Sequence, residues 1–346
     1  MYDCSLKNIR AKGIFLSHLS IQNFRVIAAA TCYCDPLAIV RLVTCLRKQT
    51  VVVERLIVID NSPEDCCDLV FEQLQPLCCD DGSCENLRQW LIWEHHPENV
   101  GLGAAMERSI EICDANAAPH FIWFFDQDSE PRPNSLQMIL EHASELYEQG
   151  MLENVAILSS QTVHPGVGVG SNGMLNRLGV LVSVPRSVVL NGVPYFCDAV
   201  ITGGMCVQFK ALKASNVKVP SEYFLDMVDY EFCMRFRDAG YQVKVVPCSL
   251  VDHRMGEPKN VVLPVFGSVF VPNYSRQRWY YYTRNQTHFI LTRGGIWLVS
   301  LGRSFLLLKT PIKEAIFSKS PFTFIAAACL GFCDGVRGRL GKRLLF

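Results

Sequence analysis

The chain has 346 residues, of which 49% are hydrophobic and 19% charged, enough to bury one sizeable core and to carry an appendage. Its 33 Lys and Arg residues equal its 33 Asp and Glu residues, so no overall charge favours nucleic acid or a membrane as a partner. The charge is unevenly distributed, however. Residues 293–346 hold nine basic and two acidic residues, a net of +7 for the tail.

The 16 cysteines contain no C-x-x-C pair, which argues against a zinc cluster. We expect reduced, partly buried thiols in a cytoplasmic protein, because the sequence begins without the basic, apolar and small-residue regions of a secretion signal. The longest apolar stretches, residues 296–308 and 321–333, are shorter than the roughly 18 to 20 residues that span a bilayer. A peripheral contact with the cytoplasmic face of the inner membrane stays open.

Apolar patterning predicts alternating strands and helices in the first half of the chain. The predicted strands cover residues 24–30, 55–59, 91–94 and 121–125, and the predicted helices cover 36–48 and 104–113. This alternation predicts an α/β fold with a mostly parallel sheet, whose ligands bind beyond the carboxyl ends of the strands. Asp60 and Asp126 both lie at such ends.

The second half is less regular. Residues 163–191 are rich in Gly, Val, Ser and Asn and predict loops over the site, and residues 196–209 predict two strands around a turn at Gly203 and Gly204. A short helix over 229–239 and a strand over 242–246 follow. Beyond residue 274 the pattern becomes helical and amphipathic.

The sequence Asp126-Gln127-Asp128-Ser129 places two carboxylates at the exposed end of a buried strand. Hard divalent cations bind carboxylate oxygens, and Mg²⁺ takes only one or two from protein when substrate phosphates supply others. The pair therefore suits a metal-bridged diphosphate. Two acidic residues in an ordinary surface turn are the alternative interpretation.

A second acidic group, Asp229 and Glu231, begins a predicted helix, where both carboxylates could border one cleft. An acidic residue at a helix start is alternatively only a cap. His253 follows a strand and a turn, and with two carboxylates upstream its imidazole is a candidate additional ligand for Mn²⁺ or Mg²⁺. A purely structural histidine is the alternative.

These motifs share an order that resembles family 2 glycosyltransferases. The order is Val58-Ile59-Asp60-Asn61-Ser62, Glu98 to Ala105 with Gly101-Leu102-Gly103, Asp126-Gln127-Asp128-Ser129, Asp226 to Phe232, and His253-Arg254-Met255-Gly256. Within that family, Tyr280-Tyr281-Tyr282-Thr283-Arg284-Asn285 and residues 335–341 look like bacterial dTDP-rhamnosyltransferases. The resemblance implies a GT-A fold, in which a Rossmann-like, mostly parallel central sheet is flanked by helices and followed by a C-terminal helical extension.

Site roles follow from the resemblance. It implies that Asp60 contacts the pyrimidine base with Thr31 nearby, and that Asn99, Gly103 and Gln127 belong to the nucleotide-sugar site. It makes Asp126 a ribose or metal contact, Asp128 the principal metal ligand and His253 a second ligand of Mg²⁺ or Mn²⁺. Gly204 could let the backbone approach the sugar or acceptor closely.

The resemblance further implies catalysis with inversion. Asp229 would be the general base on the acceptor hydroxyl, and Glu231 a supporting carboxylate. The donor would be dTDP-rhamnose, or alternatively UDP-galactofuranose or UDP-glucose, and the acceptor a glycan or lipid-linked saccharide in cell-surface polysaccharide biosynthesis.

Two distant alternatives are a non-catalytic carbohydrate-binding protein and a dinucleotide-dependent oxidoreductase. The second rests on Gly101-Leu102-Gly103, but a dinucleotide fingerprint belongs after the first strand and these residues follow the third.

The predicted organisation has three parts, namely an N-terminal extension over 1–22, a catalytic domain over 23–273 and a helical region over 274–346. The basic, aromatic helical region suits contact with anionic lipids, with ordinary helix packing or a homo-oligomer interface as the alternatives.

Overall fold

A computed structural model describes residues 21–75, 83–115, 118–164, 168–170, 172–254, 259–263, 267–271, 275–308 and 321–343. Most of the predicted N-terminal extension, and Met255 and Gly256 of the last motif, lie outside these described residues.

The strands and helices alternate through the first half, as the apolar pattern predicts. The strands are β1 (Val26–Cys32), β2 (Arg55–Asp60), β3 (Leu91–His95), β4 (Phe121–Asp126), β5 (Ser129–Pro131), β6 (Val155–His164), β7 (Gly168–Val169), β8 (Met174–Arg177), β9 (Val180–Ser183), β10 (Tyr195–Cys197), β11 (Met205–Gln208), β12 (Gln242–His253), β13 (Lys259–Leu263) and β14 (Gly267–Val271). The helices are α1 (Pro36–Arg47), α2 (Cys67–Leu74), α3 (Ser83–Trp90), α4 (Gly101–Ala115), α5 (Ser135–Glu148), α6 (Arg186–Leu190), α7 (Phe209–Ser215), α8 (Val228–Asp238), α9 (Arg276–Arg293), α10 (Trp297–Leu306) and α11 (Pro321–Val336).

One mixed sheet organises the described part of the chain, with strand order β10-β12-β6-β11-β4-β1-β2-β3. Strands β3, β2, β1 and β4 are parallel neighbours, β11 runs antiparallel between β4 and β6, and β12 is parallel to β6. Short β5 pairs antiparallel with the end of β12. This pairing brings the end of β12 beside the end of β4, although more than 120 residues separate them in sequence.

The central strands are buried on both faces, which explains their nearly continuous apolar sequences. In β4, Phe121 to Phe125 are all at most 2% exposed, and Trp123 and Phe125 face one side while Ile122 and Phe124 face the other. Helices α1 and α5 cover the first side, and α4 and α8 cover the second. The sheet therefore has helices on both faces and delivers its polar strand ends to one edge.

Helices α9 and α11 pack closely against each other and against the sheet domain. Gly331 and Gly335 of α11 lie against the backbone of Tyr280 and Arg284 in α9, where a Cβ atom would collide with the carbonyl oxygens. The Tyr280 hydroxyl donates to the buried Asp334 carboxylate at 2.8 Å. The division at residue 273 stays a prediction, since this packing neither requires nor excludes a boundary there.

Candidate active site

Three predicted metal ligands come together at the ends of two strands. Asp126 ends β4, Asp128 lies in the turn before β5, and His253 lies opposite Ser129 in the pairing of β12 with β5. One ligand atom from each of Asp126, Asp128 and His253 lies within 4.8 Å of the others. His253 Nδ1 is 3.5 Å from Asp128 Oδ1. The strand pairing thus assembles two carboxylates and an imidazole from distant parts of the chain.

The electrostatics of this group suit a cation. Burial raises the pKa of Asp126 to about 6; in this net value the charge of His253 lowers the pKa and the neighbouring Asp128 carboxylate raises it. Burial likewise raises the pKa of Asp128. Carboxylates that are poorly solvated and close together gain from a divalent ion, and oxygen with imidazole nitrogen is a donor set that Mn²⁺ and Mg²⁺ accept. The described residues therefore fit a divalent metal.

Gly203 borders the same group from the turn before β11. A Cβ atom at this position would lie 3.0 Å from Ser129 Oγ, 3.3 Å from Asp126 Oδ2 and 3.6 Å from His253 Nδ1. The absence of a side chain at Gly203 therefore leaves room for the ligand atoms to keep their positions.

We expect Gly203→Ala to weaken Mn²⁺ binding by about 10-fold, because the added methyl group must displace Asp126 or Ser129, and changes beside metal ligands typically cost about 10- to 100-fold in affinity. Gly302→Ala is the matched control, since a Cβ there meets nothing within 4 Å. Titration of Mn²⁺ by calorimetry measures both variants. Equal affinities in the two variants would show that Gly203 does not limit the metal site.

Asp229 lies at the start of α8 beside this group. Its Oδ1 accepts from the amide of Tyr230 at 2.9 Å, and its Oδ2 accepts from the amide of Thr202 at 3.3 Å. Burial, together with the charge of Asp126, raises the pKa of Asp229 to about 7. A carboxylate with a pKa near neutrality is suited to accept a proton.

The loop that carries Asp229 is held by two residues of α9. The Asn285 amide donates to the carbonyls of Tyr223 at 2.9 Å and Asp226 at 3.0 Å, and Arg284 donates to the Tyr223 carbonyl at 2.9 Å. Both side chains are fully buried. These bonds satisfy carbonyls in a loop whose residues Phe224, Asp226 and Met227 have positive φ angles. The Tyr-rich segment of α9 thereby shapes the start of α8.

Glu231 does not join Asp229, contrary to the expectation that both border one cleft. Its carboxylate is 7% exposed and accepts from Arg293 at 2.7 Å and from Arg235 at 3.4 Å. Residues two apart on a helix point to different faces, so Asp229 and Glu231 diverge once α8 begins at residue 228. Glu231 links α8 to α9 through ion pairs.

Asp60 lies at the end of β2, and its contact with a pyrimidine base stays a prediction. It is fully buried, and its oxygens accept from the amides of Ser62 at 2.9 Å and Cys66 at 3.1 Å. These bonds hold the turn after β2. Thr31, at the end of β1, is partly exposed and lies opposite Asp126 in the pairing with β4.

The glycines that begin α4 serve packing. A Cβ atom at Gly103 would lie 2.6 Å from the Cα of Ser221, and a Cβ atom at Gly101 would lie 2.5 Å from the carbonyl oxygen of Phe224. The amide of Gly101 donates to Asn99 Oδ1 at 3.0 Å, and the amide of Leu102 donates to the Phe224 carbonyl at 2.7 Å. These amides are occupied, which removes the donors that a dinucleotide pyrophosphate would need.

Gln127 and Gly204 support the strand ends. Gln127 accepts from the Tyr33 amide at 2.6 Å and donates to the Tyr33 carbonyl at 3.3 Å, which joins the ends of β4 and β1. Gly204 has a φ of +94° and faces Ser160 and Val251, whereas its neighbour Gly203 faces the metal ligands. The predicted approach of the Gly204 backbone to the sugar or acceptor stays a prediction.

Arg278 is a site residue that no sequence motif marked. It lies in the first turn of α9, its guanidinium is 3.4 Å from Asp226, and its positive charge lowers the pKa of Asp126 and Asp128. Its side chain remains 45% exposed. Only the fold could place this cation near the carboxylates, because α9 is about 150 residues away from β4 in sequence.

Residues 29–155 match the family model for glycosyl transferase family 2. Over 257 residues the chain is 24% identical to the dTDP-rhamnosyl transferase RfbF of Shigella flexneri, an alignment that covers 70% of this chain and 75% of that protein. The family-model match, residues 29–155, contains part of β1, all of β2, β3 and β4, and the carboxylates Asp126 and Asp128.

Among solved structures, the chain is similar to GalNAc-T7 with UDP, GalNAc and Mn²⁺, at a TM-score of 0.54 and 11% identity. The match covers 78% of this chain and 48% of GalNAc-T7, so the chain spans about half the length of that structure. S. aureus TarS 1-349 in complex with UDP-GlcNAc matches at a TM-score of 0.47 and 15% identity, over 85% of this chain and 74% of that one. The GalNAc-T7 likeness, together with the observed sheet, confirms the predicted GT-A fold.

Proposed function

We propose that the chain is a glycosyltransferase that transfers L-rhamnose from dTDP-rhamnose, with inversion, to a hydroxyl of a glycan or lipid-linked saccharide. The match of residues 29–155 to the model for glycosyl transferase family 2 supports the reaction class. The observation that carries this proposal is the juxtaposition of a metal-ligand group, Asp126, Asp128 and His253, with a carboxylate of raised pKa, Asp229. GalNAc-T7, of the same fold, was solved with UDP and Mn²⁺.

In this proposal, Asp126, Asp128 and His253 would hold a divalent cation, and such an ion would supply positive charge for the diphosphate leaving group. Arg278 is the nearby side-chain cation that we assign to the same diphosphate, because its charge already acts on Asp126 and Asp128 and its guanidinium is accessible. Arginine suits this role because its planar, fork-shaped group matches phosphate oxygens.

Asp229 takes the proton of the acceptor hydroxyl. The hydroxyl oxygen forms a bond to the anomeric carbon while the bond from that carbon to the diphosphate oxygen breaks, and attack from the opposite face inverts the configuration. The amides of Thr202 and Tyr230 orient the carboxylate. Arg284 and Asn285 keep the loop before α8 in place, which fixes where the base stands.

Nucleotide recognition is proposed for the ends of β1 to β4, where Thr31, Asn99 and Gln127 are partly exposed. Asp60 acts through the turn it holds, since its two oxygens already accept from Ser62 and Cys66. Glu231 stabilises the α8 to α9 contact and takes no part in proton transfer.

The donor is tested with a panel of dTDP-rhamnose, UDP-galactofuranose and UDP-glucose, each with Mn²⁺ and with EDTA. We expect the highest kcat/KM for donor hydrolysis with dTDP-rhamnose, at least about 10-fold above the UDP-sugars, because a difference of about 1.4 kcal/mol in pocket contacts gives this ratio. The sequence similarity to RfbF favours this donor. A higher kcat/KM with either UDP-sugar would replace rhamnose with that sugar while leaving the reaction class intact.

A further inference from the structure

Helix α10 has an inverted burial pattern. Its polar residues Ser300 and Ser304 are fully buried, whereas Leu298 is 73% and Phe305 61% exposed. In a helix that packs on a protein core and faces water, the apolar residues face inward. Here small polar residues form the inner face because α10 approaches Gly294 closely, and the large apolar side chains point outward.

Helix α11 repeats this pattern. Its buried residues are small, among them Ala327, Ala328 and Gly331, and Phe322 at its start is 84% exposed. The rings of Phe305 and Phe332 lie 5.1 Å apart and join the two helices. The exposed apolar side chains of the two helices and the residue before α10 form what we call the α10–α11 surface: Ile296, Trp297, Leu298, Val299, Phe305, Leu306, Phe322 and Leu330.

Water alone is an unfavourable environment for such a surface, since large groups of exposed apolar residues normally mark a contact with a protein or a lipid. The sequence around it carries positive charge. Arg303 lies on α10, and residues 309–320, which connect α10 to α11, contain Lys309, Lys313 and Lys319 with Glu314 as the acidic residue. Apolar side chains beside Lys and Arg are the combination that binds anionic bilayers. A second copy of the chain would carry the same net positive charge in its residues 293–346, which opposes self-association.

The dimensions of the helices favour a position in the plane of the bilayer surface. With 10 residues, α10 rises only about 15 Å, half of the roughly 30 Å hydrocarbon core. Among the described helices, none is both long and apolar enough to cross a membrane.

We propose that the α10–α11 surface docks in the plane of a membrane that contains anionic lipids. The apolar side chains of the α10–α11 surface enter the interface, and the net positive charge of the sequence over residues 293–346 favours a membrane with anionic headgroups. The proposal rests on the exposed side chains and the charge, and it does not depend on the donor sugar or on the metal.

Flotation of the full-length protein with vesicles of phosphatidylcholine alone, or with added phosphatidylglycerol, tests this proposal. We expect binding to the anionic vesicles that falls as NaCl rises from 50 mM to 500 mM, because the screening length shortens over this range. The double variant Leu298→Ser with Phe322→Ser should reduce partition at least about 10-fold. Each of Lys309→Gln, Lys313→Gln and Lys319→Gln should reduce it about fivefold or less.

The matched control is Val52→Ser with Val193→Ser, which removes two similarly exposed apolar side chains, at 81% and 63%, outside this surface. We expect these changes to leave partition unchanged. The proposal would be overturned if the protein bound neutral and anionic vesicles equally, or bound neither. It would also be overturned if the control variant lost as much vesicle binding as Leu298→Ser with Phe322→Ser. Sedimentation data in which Leu298→Ser with Phe322→Ser converts a dimer to a monomer while vesicle binding persists would likewise overturn it.

Discussion

Asp128→Asn is expected to weaken Mn²⁺-dependent binding of dTDP or UDP by about 100-fold or more. The substitution keeps the shape of the side chain but removes one of the two carboxylate charges that lie within 4.8 Å of His253 and each other. Changing an outer-shell partner of a metal typically costs about 10- to 100-fold in metal affinity, and we expect the loss of a direct ligand to cost at least as much. Calorimetry of nucleotide binding, with Mn²⁺ and with EDTA, measures the effect.

Asp252→Asn is the control for this change. Asp252 precedes His253 on β12, but successive side chains of a strand point to opposite faces, and its carboxylate pairs with Arg132 at 2.9 Å. The control removes the same charge one residue away from the ligand and should bind nucleotide and Mn²⁺ normally. If Asp128→Asn bound nucleotide as the control does, or if EDTA had no effect on the unmodified protein, the metal assignment would be wrong.

The sequence alone could predict the strand ends that build the site. The runs before Asp60 and Asp126 are apolar without alternation, which is the pattern of parallel strands covered on both faces, and such strands deliver their polar ends to one edge. The residue type and the upstream carboxylates make His253 a candidate ligand, but its position beside Asp128 could not be predicted from its place in the sequence. The pairing of β12 with β5, which brings them together, depends on contacts across 124 residues.

Other parts of the site could not be predicted because they depend on long-range packing. Arg278, Arg284 and Asn285 reach the site only because α9 crosses the loop before α8. The motif around Gly101 and Gly103 resembles a ligand-binding turn in sequence, yet its glycines permit close contact with residues 220–224. Asp229 and Glu231 are two residues apart, and the sequence pattern alone predicts that both border one cleft. On α8, residues with this spacing point to different faces of the helix.

The C-terminal helices show a further limit of sequence patterns. An apolar segment interrupted by Ser and Gly has the same composition whether its large or its small residues face inward. In α10 the small residues are buried, because Ser300 packs against Gly294. This choice depends on the neighbouring helix and is not visible in the periodicity of α10 itself.

Asp229→Asn is expected to reduce sugar transfer by about 100- to 10,000-fold, because a neutral amide cannot accept the proton of the acceptor hydroxyl. Nucleotide and Mn²⁺ affinity should stay within a few-fold of the unmodified protein, since the proposed metal ligands Asp126, Asp128 and His253 are unchanged. Glu231→Gln provides the contrast. It weakens the ion pairs with Arg293 and Arg235 and should lower the melting temperature while most transfer activity remains.

The pH dependence of transfer gives Asp229 a signature that a purely structural role would lack. A base must be deprotonated, so kcat should rise with pH through the pKa of Asp229 and level off above it. That pKa is about 7 through burial and the charge of Asp126, and a cation bound at Asp126 would move the rise to lower pH. In Asp229→Asn the rise should disappear. If Asp229→Asn transferred sugar near the unmodified rate, or lost nucleotide binding as severely as Asp128→Asn, Asp229 would be a helix cap or a donor contact. Glu231 would then be the next candidate base, and Glu231→Gln would be expected to lose transfer.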